Sequence, residues 1–278
     1  MSTPAAGSVF ESDWLAEREA IDHRSRSAGL CAAVCCHLSR RSSPTVTIVD
    51  LGAGRGSNFR YLAPRLPGPQ HWRLLDHDAG LLDTIEAQSA GLAPADTLET
   101  QAIDLGADLG TAIDGADLVT ASALLDLVSP AWMDALAARC AAQGSALLMA
   151  LSIDGHIDFD GPADPLDGLV RAELAKDQQR DKGLGPALGG RAPAQLINTL
   201  SAHGFAVTAM PSPWRLGPAD ADLVASLIDG WRGAVATRRP DLASTLANWA
   251  ERRTHAVIDS EHALSVGHVD VLGVLGAG

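Results

Sequence analysis

Apolar residues recur along this chain in short runs whose spacing alternates between strand and helix periods. Thr45-Val-Thr-Ile-Val-Asp50 is β-branched and apolar, the pattern of a strand covered on both faces. Ahead of it, Trp14 to Leu38 interleaves Glu17, Arg18, Glu19, Asp22, Arg24 and Arg26 with Leu15, Ala16, Ile21 and Leu30, which predicts one or two amphipathic helices. After a glycine turn at Gly52 to Gly56, the pattern predicts a helix over Asn58 to Leu66, a strand over Trp72 to Asp76 and a helix over Gly80 to Ala90. Further strands follow at Leu98 to Leu105, Asp117 to Ser122 and Ser145 to Ile153, with a helix over Ala131 to Ala142 between the last two. Alternation at this spacing predicts right-handed βαβ crossovers and a parallel sheet with helices on both faces, an α/β fold.

Beyond Ile153 the rhythm breaks. Asp154 to Pro193 is rich in Gly, Pro and Asp around a helical stretch, Leu166 to Gln179, and reads as an insertion over the functional edge of the sheet. Ala194 to Ala202 reads as a helix, Phe205 to Met210 as a strand and Pro211 to Gly217 as a loop. Two helices, Asp220 to Trp231 and Asp241 to His255, precede a strand-like run, Leu264 to Val274. The expected organisation is a single domain over residues 1–278: an N-terminal helical cap (1–43), a cofactor-binding core (44–153), and insertions 154–193 and 211–263 that form a substrate cap.

Charge narrows the partners. With 34 acidic against 21 basic residues the net charge is -13, so the average surface field repels nucleic acid and anionic membrane. No apolar stretch is long enough to cross a bilayer, and Met1 to Glu11 lacks a basic start followed by an apolar run, so a cytoplasmic location is expected. Cys31, Cys35, Cys36 and Cys140 make neither a disulfide framework nor a paired zinc pattern and are expected to be reduced. Asp154, Asp158, Asp160, Asp164 and Asp167 invite a metal, but a calcium-loop register from His156 lacks its first Asp and ends on Asp167 rather than Glu. A solvated acidic loop is expected there, with no metal. Monomer and homodimer both remain open, Ala219 to His255 being a candidate dimer surface.

The strongest local signal is Val49-Asp-Leu-Gly-Ala-Gly-Arg-Gly-Ser-Asn58, where a buried strand turns into a helix. Glycines there tolerate positive φ and let a ligand approach the backbone, and the amides at the helix start can receive a carboxylate or phosphate. The dinucleotide fingerprint is G-x-G-x-x-G with an acid about 20 positions on. Here the glycines run G-x-G-x-G, and Asp50 stands two residues before the first. A carboxylate so placed favours a ligand with a cationic amino group over a pyrophosphate. Asp76, at the end of the second strand, suits ribose hydroxyls, and Asp104 suits an adenine amino group. Taken singly, Asp76, Asp78 and Asp104 could equally cap the helices that follow them.

Together these segments resemble the class I S-adenosylmethionine-dependent methyltransferases. Asp50-Leu-Gly-Ala-Gly-Arg-Gly56 is similar to their first motif and Leu74-Leu-Asp76-His-Asp78 to the ribose motif. Ala102-Ile-Asp104-Leu105 is similar to the adenine motif, and Ala116-Asp-Leu-Val-Thr-Ala-Ser122 to the motif beside the reacting centre. The resemblance covers about the first 150 residues, in order. It implies a Rossmann-like, mostly parallel sheet of seven strands with the last antiparallel, and a cofactor site drawn from Asp50, Gly52, Ala53, Gly54, Gly56, Asn58, Asp76, His77, Asp104, Leu105 and Ser122. Ser122 and Ala123 would line the floor near the sulfonium. Pro211 to Ala263 would be an unusually long insertion between the last two strands.

Methyl transfer from a sulfonium is an in-line displacement, so the expected work is aligning a small-molecule acceptor, O or N favoured, and excluding water. A base is needed only where the nucleophile carries a proton. Asp126 and His156, just past the fourth and fifth strands, are candidates for it. Lys182, in the Asp181-Lys-Gly-Leu-Gly-Pro186 turn, and Trp214 with Arg215 are candidates for substrate binding, the latter pair by stacking and bidentate pairing. The competing expectations are a catalytically silent module of the same fold and a nicotinamide-dependent oxidoreductase.

Overall fold

A computed structural model describes residues 12–41, 43–85, 95–259 and 262–276. The core is a single sheet in the order β3-β2-β1-β4-β5-β8-β6, with a short β7 also paired to β8. β1 (Val46–Leu51), β2 (Gln70–Asp76), β3 (Ala95–Ala102), β4 (Leu118–Ser122) and β5 (Ala146–Phe159) run parallel. β8 (Leu264–Leu275) runs antiparallel between β5 and β6 (Phe205–Pro211). The fold is thus Rossmann-like, with mostly parallel strands, a reversed strand near one edge and helices on both faces.

Ten helices are described: α1 (Ser12–Ser25), α2 (Ala28–Leu38), α3 (Ser57–Leu62), α4 (Ala79–Leu82), α5 (Leu109–Ala112), α6 (Pro130–Gln143), α7 (Asp167–Gln178), α8 (Ala192–Ala202), α9 (Ala221–Arg238) and α10 (Ala243–Ile258). The helix expected over Gly80 to Ala90 ends at Leu82, where Asp83 and Thr84 form a turn, and residues 86–90 lie outside the described residues. One face of the sheet buries Val49, Val119, Leu147 and Met149 against Met133 and Leu136 of α6 and Leu196 of α8. The other buries Ile48, Leu74 and Leu148 against Leu30 and Val34 of α2 and Phe59 of α3. Alternate β-strand side chains point to opposite faces, so a strand covered twice must be apolar at nearly every position.

Seven strands were expected and an eighth, β7 (Trp214–Leu216), lies within the segment expected to be a loop. It continues β6 along the same edge of β8. Pro213 has no N–H to donate, which interrupts the ladder there. The Ser212 amide still donates to the His268 carbonyl at 2.8 Å. β5 also outruns its expected end and carries irregularities between Met149 and Ser152 and between Ile153 and Ile157. At the first, Leu151 has φ of 50°, and its amide donates to Asp270 Oδ1 at 2.8 Å.

Helices α7, α9 and α10 share a third core, with Leu174, Val224, Ile228, Leu246 and Trp249 buried together beneath Ile157 and Phe159 of β5. Two acidic residues of the 154–193 segment serve this packing. Asp164 pairs with Arg252, and Asp167 with Arg253 and the Trp249 indole N–H. Gly190 presses main chain to main chain on the extended β5: a Cβ there would lie 2.8 Å from Gly155 Cα. Backbone cannot yield as a side-chain tip can, so Gly190→Ala is expected to cost about 1–3 kcal/mol, read as a lowered midpoint in thermal unfolding. An unchanged midpoint would show that the main chain yields at this contact.

Candidate functional site

Strand order reverses between β1 and β4, and in open α/β sheets a crevice for ligands forms at the carboxyl ends of the strands flanking such a point. The glycine turn occupies this place. Gly52, Gly54 and Gly56 have φ of 64°, 53° and 79°, a region that side chains disfavour. Space is short as well: a Cβ on Gly52 would lie 3.1 Å from Leu124, and one on Gly56 3.2 Å from Ile85. Ala53 between them is buried, its amide donating to the Leu75 carbonyl at 2.9 Å.

Asp50 ends up fully buried beneath this turn. Asn58, in the first turn of α3, donates from Nδ2 to Asp50 Oδ1 at 2.7 Å and also lies 3.1 Å from Thr120 Oγ1 on β4. Among the described residues, Asp50 Oδ2 has no hydrogen-bond partner. Burial pushes the Asp50 carboxyl up to about 7, the Asn58 hydrogen bond and the Arg26 charge hold it down in part, and Asp76 adds to the rise. A carboxyl that is half ionised near neutrality, with one oxygen unmatched, is poised to ionise fully when a cation arrives.

Asp76 is buried at the end of β2. It accepts from the Gly54 amide at 2.8 Å and the Asp78 amide at 3.0 Å, with His77 Nδ1 at 3.1 Å. Asp78 caps α4, accepting from the Gly80 amide at 2.9 Å. Asp104 stands exposed beyond β3 and accepts from the Gly106 amide at 2.8 Å. The Leu105 side chain is buried, and its carbonyl takes the Trp132 indole N–H at 2.9 Å. The turn around Gly183 and Leu184 packs on Gly106, so the loop carrying Lys182 closes this edge.

Helix α1 straps across the carboxyl edge. Leu15 lies over Gly54, His23 meets Ser57 at 3.2 Å, and Arg60 pairs with Glu19. Arg26, just past α1, is buried; it donates from Nη1 to Asn58 Oδ1 at 2.7 Å and lies 3.6 Å from Asp270. Its Nε and Nη2 have no hydrogen-bond partner among the described residues. Its charge is met by Asp270 and by the Tyr61 ring, 4.7 Å from the guanidinium carbon, which leaves Nη2 as the open donor one side chain away from Asp50. The charged face of the N-terminal helices thus splits: Arg24 goes to Asp220 on the surface, Arg18 turns inward to Asp22 and the Trp214 ring, and Arg26 turns inward toward Asn58 and Asp270.

A cavity of about 250 Å³ opens beside the crevice, between α1, the ends of β4 and β5, α7, α9 and β8. Ala123, Asp126, His156 and Trp214 line it. Ser122 is half-buried at the end of β4, and Ala123 after it has φ of 53°, a strained value for a residue with a Cβ. Burial raises the Asp126 carboxyl above its ordinary range, with Lys182 and Arg18 opposing the rise. His156 stands at the rim with its side chain 84% exposed and Nδ1 3.0 Å from Asp154. Trp214 is buried and its indole N–H donates to Asp22 at 3.0 Å. Adjacent strand residues face opposite ways, so Arg215 is exposed on the other side of β7, and the two do not form a joint clamp. Arg171 and His268 also line the cavity and were not among the candidates drawn from the sequence. A signal was there: His268 and Asp270 are polar residues at i and i+2 in an otherwise apolar strand.

No family model matches the chain, and no curated protein matches it. Among solved structures it is similar to an S-adenosylmethionine-dependent methyltransferase from Thiobacillus denitrificans in complex with S-adenosyl-L-homocysteine, at 14% identity and a TM-score of 0.47 over 95% of this chain and 99% of that one. It is similar to a cyclopropane synthase from Mycobacterium tuberculosis, at 11% identity and a TM-score of 0.45 over 87% and 83%. A third likeness is to the phosphoethanolamine N-methyltransferase 2 of Haemonchus contortus, at 11% identity and a TM-score of 0.46. It covers 95% of this chain and 57% of that one, so the chain spans little more than half of that enzyme's length.

Proposed function

We propose that the chain is an S-adenosylmethionine-dependent methyltransferase that moves a methyl group to an O or N nucleophile of a small molecule by in-line displacement, leaving S-adenosylhomocysteine. The observation that carries this is the fully buried Asp50 carboxyl with an unmatched Oδ2, under a turn of three positive-φ glycines at the strand-order reversal. A ligand with an ammonium group satisfies Asp50; a pyrophosphate is repelled by it. Bound in this crevice, the cofactor would supply a methyl group activated by a sulfonium.

The chain's own residues do the rest. Asp50 takes the amino group, and the open Nη2 of Arg26 suits the neighbouring carboxylate. Asp76 faces the ribose, held in place by the amides it already accepts. Asp104 and Leu105 border the adenine, with the Gly183–Leu184 turn behind them. Ser122 and Ala123 form the floor between the crevice and the cavity, whose indole walls keep water from the reacting centre. We place the enzyme in the cytoplasm, as a monomer or homodimer with no nucleic-acid partner; its four unpaired thiols are in keeping with a reducing compartment. Among the described residues, no helix is long and apolar enough to cross a membrane.

Titration calorimetry with S-adenosylmethionine, S-adenosylhomocysteine and NAD tests the cofactor. Binding of the first two and silence with the third is expected. Binding of NAD alone would replace methyl transfer with hydride transfer, and binding of S-adenosylmethionine without turnover on any acceptor would favour a silent module.

A further inference from the structure

The cavity beside the crevice has a chemical character of its own. Trp14, Trp214 and Trp231 contribute three indoles to its walls. Two guanidinium groups reach it. Arg18 lies 5.0 Å from the centre of the Trp214 ring and uses Nε and Nη2 on Asp22, which leaves Nη1 without a partner among the described residues. Arg171, an exposed residue at the edge of the cavity, donates from Nη1 to the Ile157 carbonyl at 2.8 Å. At about 250 Å³ the space falls just below the usual range of ligand sites, room for a single small ring.

His268 is built into this cavity from β8, opposite Ile153 of β5, and is 3% exposed. Its Nδ1 lies 3.0 Å from the Val266 carbonyl, an acceptor only, so Nδ1 carries the proton and Nε2 keeps its lone pair. Among the described residues Nε2 has no hydrogen-bond partner. The Trp214 ring, 5.0 Å away and tilted by 38°, fixes the plane of the imidazole. Burial and the Arg18 charge push its pKa down to about 4, opposed by the Val266 carbonyl and by Asp154 on β5. The cavity's other titratable groups are Asp126 and His156. An imidazole in that setting is neutral across the physiological range, with its Nδ1 proton committed to Val266 and its Nε2 lone pair open to a proton.

We propose that this cavity takes a hydroxylated aromatic acid, its ring among the indoles and its carboxylate on Arg18 and Arg171, and that His268 Nε2 accepts the proton of the hydroxyl being methylated. The inference rests on the methyl-transfer function proposed above. The hydroxyl oxygen forms the new C–O bond with its own lone pair, the departing sulfur keeps the electrons of the broken S–C bond, and the O–H proton moves to Nε2 and then to solvent. A carboxylate on Arg18 offsets the smaller of the two causes that weaken His268, while burial, the larger, remains.

The test uses the full chain. S-adenosylmethionine binding is measured first by calorimetry. Quenching of tryptophan fluorescence by 4-hydroxybenzoate, 3,4-dihydroxybenzoate and the methyl ester of each is then followed with S-adenosylhomocysteine present. Methylation of the same compounds is assayed in wild type, His268→Gln and Arg171→Gln. The acids are expected to quench and their esters to bind at least 10-fold more weakly. Arg171→Gln should raise KM for the acids about 10-fold. His268→Gln should lower kcat by about 100-fold or more with KM little changed, and should lose the acid limb of the wild-type pH profile. Cofactor binding without quenching by any acid would overturn the acceptor class while leaving methyl transfer standing; no cofactor binding would overturn both. Wild-type kcat in His268→Gln would remove the histidine from the reaction. Should that variant not fold, as judged by its melt and its cofactor affinity, equal binding of acid and ester by the wild type and Arg171→Gln would still overturn the proposal.

Discussion

At pH 8, Asp50→Asn is expected to melt at a higher temperature than the wild-type chain and yet to lose most of its affinity for S-adenosylmethionine. The Asp50 carboxyl titrates near 7 in the folded chain, against about 3.9 for an unperturbed Asp. Between those values the native state holds a proton that the unfolded chain has released, so stability falls as pH rises and is lowest above 7. The full span corresponds to about 4 kcal/mol of destabilisation from one buried charge. Asparagine removes the charge and keeps an acceptor for Asn58, but buries an amide whose donors lack partners, at about 1–3 kcal/mol. The net gain at pH 8 is therefore about 1–3 kcal/mol, and at pH 4 it vanishes or reverses. Losing a charge-assisted hydrogen bond to an ammonium should weaken cofactor binding by about 10-fold to 100-fold. Melts at both pH values and calorimetry on both proteins check the two halves. A variant that binds as tightly as wild type would remove Asp50 from the cofactor site whatever its stability.

Arg253→Met is expected to cost about 3–5 kcal/mol, the cost of stranding a buried charge. Arg253 and Asp167 are both buried and joined by two hydrogen bonds, one of 2.9 Å from Nε. Arg253 Nη1 also donates to the Pro162 carbonyl at 3.0 Å, and the guanidinium lies 4.5 Å from the centre of the Phe159 ring. Burial alone would raise the Asp167 carboxyl, but the hydrogen bonds from Arg253, Trp249 and the Asp164 amide outweigh it and hold the group below its ordinary range. Its stabilisation is thus complete above about pH 4 and is lost on acidification through the lowered value. Methionine removes that acid-side loss along with the pair. Adding Asp167→Asn should recover part of the stability, because the stranded charge is then gone. Circular dichroism melts of the single and double variants measure this, and a double variant no more stable than the single one would mean that charge stranding is not the cause. Cofactor affinity should survive, since α7 and α10 touch neither the glycine turn nor Asp76.

The acidic segment and the last strand show where sequence pattern reaches its limit. Asp164 and Asp167 read as members of a solvated loop because their partners, Arg252 and Arg253, lie more than 80 residues away, and no local period links them. Trp214 and Arg215 suggested a clamp because they are adjacent; the strand they form sends them to opposite sides. His268 went unnoticed because polar residues alternating in an apolar strand do not say which cavity they meet.

What the sequence determined by itself was the alternation of strands and helices, the parallel core and the glycine turn with Asp50 two residues before it. These are local: a strand covered on both faces needs a continuous apolar run, and a left-handed turn needs glycine. Only the tertiary structure decided that Asp50 is buried with one oxygen unmatched, that Arg26 turns inward beside Asn58 while Arg18 turns toward Trp214, and that α1, β5, β8 and α7 wall a cavity around His268. Burial and pairing depend on which distant elements meet, and the sheet order that brings β8 between β5 and β6 is set by packing across more than 100 residues of chain.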